Sequence, residues 1–168
     1  MGNGENEAPG AGRFLPSGRE PMSDDPVPKP THPRTPRVLV SNRQASPVDE
    51  RGLADLAART LTGEGQDGVE LSLSFVTPQE IEDLHVRFMD EPGPTDVLSF
   101  PMGEEGLLGD VVVCPAEAAR NNAEDVDGEL RLLVVHGVLH LLGYDHQEDA
   151  ERAEMWAKQE AYAGVRAP

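Results

Sequence analysis

Hydrophobic and polar residues alternate in several short segments of the chain, and this period of two predicts β-strands. The clearest alternation is VELSLSFV at residues 69–76, and RVLVSN at residues 37–42 shows the same pattern. Two further apolar segments, at residues 96–100 and 110–114, are separated by a connection that contains glycine and glutamate. We expect these two segments to pair as a hairpin, so the chain should supply four strands.

Apolar residues at helical spacing predict five helices between and after these strands. Thr77 is expected to cap the second helix, and Glu80 to complete a capping box. The fourth helix has the most regular apolar stripe and should end at Gly143, since glycine readily adopts the left-handed conformation of a helix C-terminus. The mixed order predicts an α+β fold, a single domain with a small mixed sheet packed against helices. The helices are predicted at residues 47–61, from 77 to the EPGP sequence at 91–94, and at 115–124, 127–142 and 148–162.

The first 36 residues are rich in proline, glycine, serine and charge, and they have almost no apolar periodicity. Such a composition buries too little apolar surface to offset the entropy of ordering, so residues 1–36 are predicted to be a disordered tail and residues 37–168 the folded domain. The chain shows no secretory signal and no run of about 20 apolar residues. Its single cysteine, Cys114, is interpreted as a small buried residue. These features predict a cytoplasmic protein that does not associate with membranes.

The charge of the chain restricts its partners. Acidic residues outnumber basic ones by 31 to 14, which gives a formal net charge of −17. Proteins that bind nucleic acid unaided usually present a basic surface, and the composition lacks this signature. Solubility and self-avoidance account for most of the acidity.

The segment with candidate chemistry is VVHGVLHLLGYDHQ, which holds three of the five histidines. His136 and His140 are four residues apart, so their side chains should project from one face of the fourth helix. Gly143 then lets the chain reverse, and His146 can approach the same point from the following loop. Three imidazoles leave the fourth position of a tetrahedral ion for water, as in catalytic zinc sites. We therefore predict one divalent metal ion, zinc, bound by the three histidines.

The same segment resembles the HExxHxxGxxH motif of metzincin proteases in the spacing of its histidines and glycine. Position 137, however, is glycine, where those proteases carry the glutamate that acts as general base. Peptide hydrolysis without this base should be poor. A metalloprotease is therefore a disfavoured alternative.

Three motifs together resemble the YbeY family of endoribonucleases, bacterial factors of ribosomal RNA maturation. They are HGVLHLLGYDH, PTDVLSFP at residues 94–101 and LLGDVVVCP at residues 107–115, and the resemblance covers roughly residues 38–162. It implies a single α+β domain whose three histidines act in catalysis through metal-bound water. It also implies that the substrate is single-stranded RNA, cleaved during 3′-end processing of small-subunit ribosomal RNA and in ribosome quality control.

One position departs from the family pattern. Members often carry an arginine six residues before the threonine of PTDVLSF, and here that position is Met89. Arg87 lies two residues upstream, and on a helix it would point about 200° away from Met89. Arg87 is the candidate for the RNA-binding or catalytic arginine of the family, and a solvated charge on the helix surface is the alternative interpretation.

Three other residues are candidates beside the predicted site. Asp145 precedes a predicted ligand and either orients an imidazole or forms a turn. Thr95 and Ser99 belong to the strand motif, where they either line the substrate groove or hold the loop through hydrogen bonds from side chain to backbone.

A function of a different class also fits the sequence, namely a non-catalytic assembly factor that is stabilised by its metal. The net charge of −17 keeps this alternative open, because recruitment to ribosomal RNA would then depend on a basic protein of the small ribosomal subunit. Cleavage of labelled RNA by the metal-loaded protein would distinguish the enzyme from the assembly factor.

Overall fold

The structure is a computed structural model that describes residues 35–89 and 95–165. These residues belong to one unit of the chain, Pro33–Pro168. Of the predicted tail, only residues 35 and 36 fall in the described part, so the prediction for residues 1–36 lies outside it. The EPGP sequence that was expected to end the second helix also lies outside the described residues.

The predicted strands and helices are all present, with boundaries shifted by a few residues. The strands are β1 (Arg37–Asn42), β2 (Glu70–Phe75), β3 (Val97–Glu104) and β4 (Leu107–Val113). The helices are α1 (Glu50–Gly63), α2 (Pro78–Met89), α3 (Pro115–Asn121), α4 (Val126–Leu141) and α5 (Asp149–Ala163).

The four strands form one mixed sheet in the order β1-β2-β4-β3. Strands β1, β2 and β4 are parallel, whereas β3 runs antiparallel to β4. The predicted hairpin is therefore confirmed, and its strands are longer than expected. Pairing continues past an irregularity at residues 101–104, where Gly103 has a φ of 75°, as far as a tight turn at Gly106.

Alternation along the strands directs neighbouring residues to opposite faces of the sheet. Val111 and Val113 of β4 pack in the main core with α1, α4 and α5, whereas Val112 packs in a smaller cluster with Ile81 of α2. The face covered by α4 is called the α4 side, and the opposite face the α2 side. Cys114 is fully buried in the smaller cluster, as predicted.

Helix α4 lies at the centre of the main core. The sequence predicted one apolar stripe along it, but the structure also buries Leu132, Val135 and Leu139, which lie outside that stripe. The reason is that α4 contacts the sheet through β3 and β4 and also contacts α1, α3 and α5. A helix with neighbours all round needs apolar residues on more than one face.

The helix caps follow the predicted chemistry in part. The hydroxyl of Thr77 accepts a hydrogen bond from the Glu80 N–H at 3.1 Å, which confirms Thr77 as the N-cap of α2. The Glu80 carboxylate, which was expected to complete a capping box, binds the Arg43 guanidinium at 2.7 Å. The Glu80 side chain, which the local sequence predicted to cap α2, therefore forms an ion pair with a residue distant in the sequence.

Within the described residues, no helix is both long enough and apolar enough to cross a membrane.

Candidate metal centre

The three predicted histidines come together at the C-terminal end of α4. One ring nitrogen from each of His136, His140 and His146 lies within 4.8 Å of the others. The helix supplies the first two from neighbouring turns, and their ring centroids are 4.6 Å apart. Gly143 has a φ of 100°, and the Tyr144 N–H donates to the Leu139 carbonyl at 3.1 Å. This reversal brings His146 back to the end of the helix, as the spacing predicted.

The His136 ring is oriented by a residue that the sequence analysis missed. Gln159 of α5 is only 6% exposed, and its Oε1 lies 2.9 Å from His136 Nδ1. Because Oε1 can only accept, Nδ1 carries the proton and Nε2 keeps a free lone pair. The one available signal was its position, since Gln159 interrupts a buried stripe that also contains Met155 and Ala163.

The indole of Trp156 forms an aromatic wall beside the site. Its ring meets those of His136 and His146 edge to face, at centroid distances of 6.0 and 5.8 Å. Packing of this kind restricts the rotation of both imidazoles. No motif in the sequence places Trp156 at this site.

The electrostatic environment keeps the helical imidazoles neutral. Burial lowers the pKa of His136, and the adjacent imidazoles lower it further, although the hydrogen bond to Gln159 acts in the opposite direction. Burial also lowers the pKa of His140, followed by the effect of His146. Neutral imidazole is the form that binds a metal ion.

The donor set fits a divalent ion. Three convergent imidazole nitrogens suit zinc and other borderline transition metals, whereas calcium and magnesium prefer oxygen ligands. No other group of three or more histidine, cysteine or acidic side chains in the described part of the chain is placed to hold an ion. The predicted metal site is therefore supported by geometry, and the identity of the metal stays a prediction.

The histidines line a cavity of about 480 Å³ whose other wall is the start of β3. Thr95 and Ser99 both lie in this wall, and their role in a substrate groove stays a prediction. The Ser99 hydroxyl also donates to the Gly137 carbonyl at 3.1 Å, a bond that connects β3 to α4 and does not hold the loop. Asp96 adds a carboxylate to the wall, and Asn121 donates to it at 2.8 Å. Asp96 was not among the predicted site residues, because no local pattern indicates which way its side chain faces.

Gly137 occupies the position of the protease glutamate, and it lies against the sheet. A Cβ at this position would be 2.5 Å from a methyl carbon of Val111 and 3.3 Å from the Ser99 hydroxyl. Glycine is thus required here for α4 to pack directly on β4. A glutamate at 137 would clash with the sheet, which further disfavours a peptidase.

The remaining candidates have distinct environments. The Asp145 carboxylate accepts from the His146 N–H at 2.7 Å, so it shapes the loop backbone next to a ligand. Arg87 lines a different cavity, on the α2 side, with its guanidinium 5.8 Å from the Phe88 ring centroid. Met89, by contrast, lines the histidine cavity. The placement of Arg87 gives no support to a role in catalysis.

Comparison with known proteins identifies relatives along most of the chain. A family model described as Endoribonuclease YbeY matches residues 39–164. An endoribonuclease YbeY of Streptomyces coelicolor is 46% identical over 142 residues, which cover 74% of this chain and 86% of that protein. One from Thermobifida fusca is 46% identical over 145 residues, which cover 77% of this chain and 94% of the relative.

A solved structure agrees with this assignment. The solution structure of a Thermotoga maritima protein superimposes with a TM-score of 0.52 and 32% sequence identity, covering 75% of this chain and 86% of that one. The predicted α+β fold, the resemblance drawn from three motifs and the prediction of a hydrolase are confirmed. The chain belongs to the YbeY family of endoribonucleases.

Proposed function

We propose that this protein is a metal-dependent endoribonuclease that cleaves single-stranded RNA in the maturation of small-subunit ribosomal RNA, at its 3′ end, and in ribosome quality control. The observation that carries the proposal is the convergence of three imidazole nitrogens within 4.8 Å at the floor of an open cavity. The family assignment supports RNA as the substrate, since the curated relatives are named endoribonucleases.

We propose zinc as the ion, held by His136, His140 and His146. A bound divalent ion of this kind supplies Lewis acidity, which activates water and stabilises negative charge on phosphate. The protein itself holds the histidines in the orientation and protonation state that metal binding needs. Gln159 fixes the tautomer of His136, and burial keeps His136 and His140 in the unprotonated form. The wall of Thr95, Asp96 and Ser99 then borders the space in which a phosphodiester would lie.

We propose that the partner, besides the RNA substrate, is the small ribosomal subunit or one of its basic proteins. With a net charge of −17, the chain repels the RNA backbone at long range, so recruitment through a basic intermediary is favourable. The proposed location is the cytoplasm, where ribosomes are assembled. A salt titration of binding to isolated ribosomal proteins tests this, because the proposed contact should weaken as salt screens the charges.

The activity is tested with the purified, metal-loaded protein on labelled single-stranded RNA and, in parallel, on casein. We expect cleavage of RNA only, abolished in His140→Ala and retained in His85→Ala. His85 is a matched control because it belongs to α2 and does not line the histidine cavity. Metal binding without RNA cleavage would favour the assembly factor, and cleavage of casein would favour the peptidase.

The metal ligands are tested by elemental analysis of the protein as isolated. One ion per chain is expected, and His136→Ala or His140→Ala should lower its occupancy severely, since each removes one of three ligands. Full occupancy in the double variant would show that the ion is bound elsewhere.

The domain boundary is a further proposal. We propose that residues 37–168 fold by themselves, because the apolar periodicity begins at residue 37. A chain that starts at Pro36 should melt within a few degrees of the full-length protein. A large loss of stability would show that residues 1–36 contribute to the fold.

A further inference from the structure

Four polar side chains connect the loop between α4 and α5 to the end of α1. The Glu64 carboxylate accepts a hydrogen bond from the Tyr144 hydroxyl at 2.5 Å and another from the Tyr162 hydroxyl at 2.6 Å. The Lys158 ammonium lies 3.1 Å from the same carboxylate. The Glu64 side chain is only 9% exposed, so its charge is compensated mainly by these three donors.

The position of Tyr144 gives this cluster its significance. It lies between the ligands His140 and His146, in the loop of residues 142–148, whereas Lys158 and Tyr162 belong to α5. The Tyr144 N–H closes the end of α4 through the Leu139 carbonyl, and its hydroxyl extends to Glu64 on the far side. One residue therefore fixes the loop at both its backbone and its side-chain end.

Two further features shape the cluster around its two tyrosines. The Lys158 ammonium lies 5.5 Å from the Tyr144 ring centroid, which adds a cation–π contact to the ion pair with Glu64. Gly63 provides the space on the other side, since a Cβ there would lie 2.6 Å from the Tyr162 hydroxyl. Larger residues at 63 would displace Tyr162 from the carboxylate.

We propose that Glu64, Tyr144 and Lys158 form a positioning clamp that fixes the loop carrying His146 and thereby sets the metal affinity of the three-histidine site. This inference rests on the proposed function, in which those histidines bind the ion. A ligand already held in place loses less conformational entropy on binding, so a fixed loop favours the bound state. The clamp residues touch neither substrate nor ion and act through His146.

The test compares two variants that each remove one hydroxyl from the same carboxylate. Tyr144→Phe detaches the loop from Glu64, whereas Tyr162→Phe removes an equivalent hydrogen bond but leaves the loop attached. Zinc affinity of the full chain is measured by competition with a chromophoric chelator. Amide hydrogen exchange in residues 142–148 is measured on the metal-free protein, so that loop order is observed independently of metal.

We expect Tyr144→Phe to raise the zinc dissociation constant about tenfold or more, the usual effect of losing a group that supports a ligand. Exchange in the loop should become faster in the same variant. Tyr162→Phe should leave both quantities near those of the unsubstituted protein. Glu64→Ala should reproduce Tyr144→Phe, because it removes the acceptor that the tyrosine needs.

Equal effects of Tyr144→Phe and Tyr162→Phe on affinity and on exchange would overturn the clamp, since a merely structural cluster predicts them. No change in Tyr144→Phe would overturn it as well. If the unsubstituted protein binds no zinc, the proposed function is wrong, and the clamp cannot set zinc affinity. The exchange measurement then decides whether the clamp orders the loop.

Discussion

The two faces of the sheet come from the same alternating strands, yet they differ in how completely they are covered. On the α4 side, Leu73 and Val111 are fully buried under the central helix. On the α2 side, Ser72 and Ser74 line an open cavity, and Phe88 at the end of α2 is 58% exposed. One face is a closed core, and the other is only partly covered.

The difference shows where this fold can hold a precise site. His136 and His140 project from a helix that is fixed on one side by the sheet and on the other by α5, which also supplies Gln159. Side chains whose rotamers are restricted by such contacts keep a constant geometry. The α2 side presents Arg87 and Phe88 on a helix that contacts the sheet mainly through β3. A site that needs fixed ligand positions is therefore built on the α4 side.

The largest expected effect comes from restoring the protease glutamate. Gly137→Glu forces a charged side chain into the contact between α4 and Val111. Overpacking costs about 1–3 kcal/mol and burial of an unpaired charge adds more, so we expect a loss of at least about 3 kcal/mol in the free energy of unfolding. Urea denaturation measures it. A stable Gly137→Glu protein that cleaves casein would contradict the account of this contact.

The two faces can be compared directly through two truncations. Leu139→Ala empties a fully buried position on α4 and should cost about 2–5 kcal/mol. Phe88→Ala removes a larger but exposed side chain on the α2 side, and its cost should stay below about 1 kcal/mol. Denaturation curves of both variants give the comparison. Similar losses would mean that the α2 side is as tightly packed as the α4 side.

Gln159→Leu should change the metal affinity while leaving the surrounding core intact. Leucine has a similar volume and suits a buried position, so the folded protein should remain stable. The His136 ring loses its hydrogen-bond acceptor, and we expect zinc affinity to fall about 10- to 100-fold. Chelator competition measures the affinity. Unchanged binding would show that Gln159 does not orient the ligand.

Acid should lower the free energy of unfolding of the metal-free protein. Burial lowers the pKa values of His136 and His140 in the folded chain below 6.5, the ordinary value for histidine. As the pH falls below 6.5, the unfolded chain therefore takes up protons that the folded chain resists, and stability declines towards the folded pKa values. Denaturation between about pH 7.5 and 5.5 tests this window, in which ordinary carboxylates remain ionised. His136→Gln should flatten the curve.

The smallest expected effect concerns Arg87. Because it lines the cavity on the α2 side, Arg87→Ala should leave RNA cleavage, metal content and melting temperature nearly unchanged. Met89→Arg, which places a guanidinium at the histidine cavity, should instead raise cleavage through a charge-assisted contact with phosphate. A loss of cleavage of about tenfold or more in Arg87→Ala, which corresponds to roughly 1.4 kcal/mol, would reverse this assignment.

Local sequence patterns were enough to predict the elements of the fold and the grouping of the three histidines. Alternation in residues 69–76 was enough to place β2, and the four-residue spacing of His136 and His140 was enough to place both on one helix face. Gly143 marked the reversal that returns His146. Each of these features depends on residues that are close together in the sequence, so a local pattern is enough to predict it.

The residues that support that site from other elements could not be predicted, because core packing brings them there. Gln159 is 23 residues from the imidazole that it binds, and Glu64 is 80 residues from Tyr144. Likewise, Gly137 is explained by Val111 on a neighbouring strand, and Glu80 was diverted from its cap by Arg43. No periodicity in the sequence encodes such pairs, because they form only when packing of the core brings separate elements into contact.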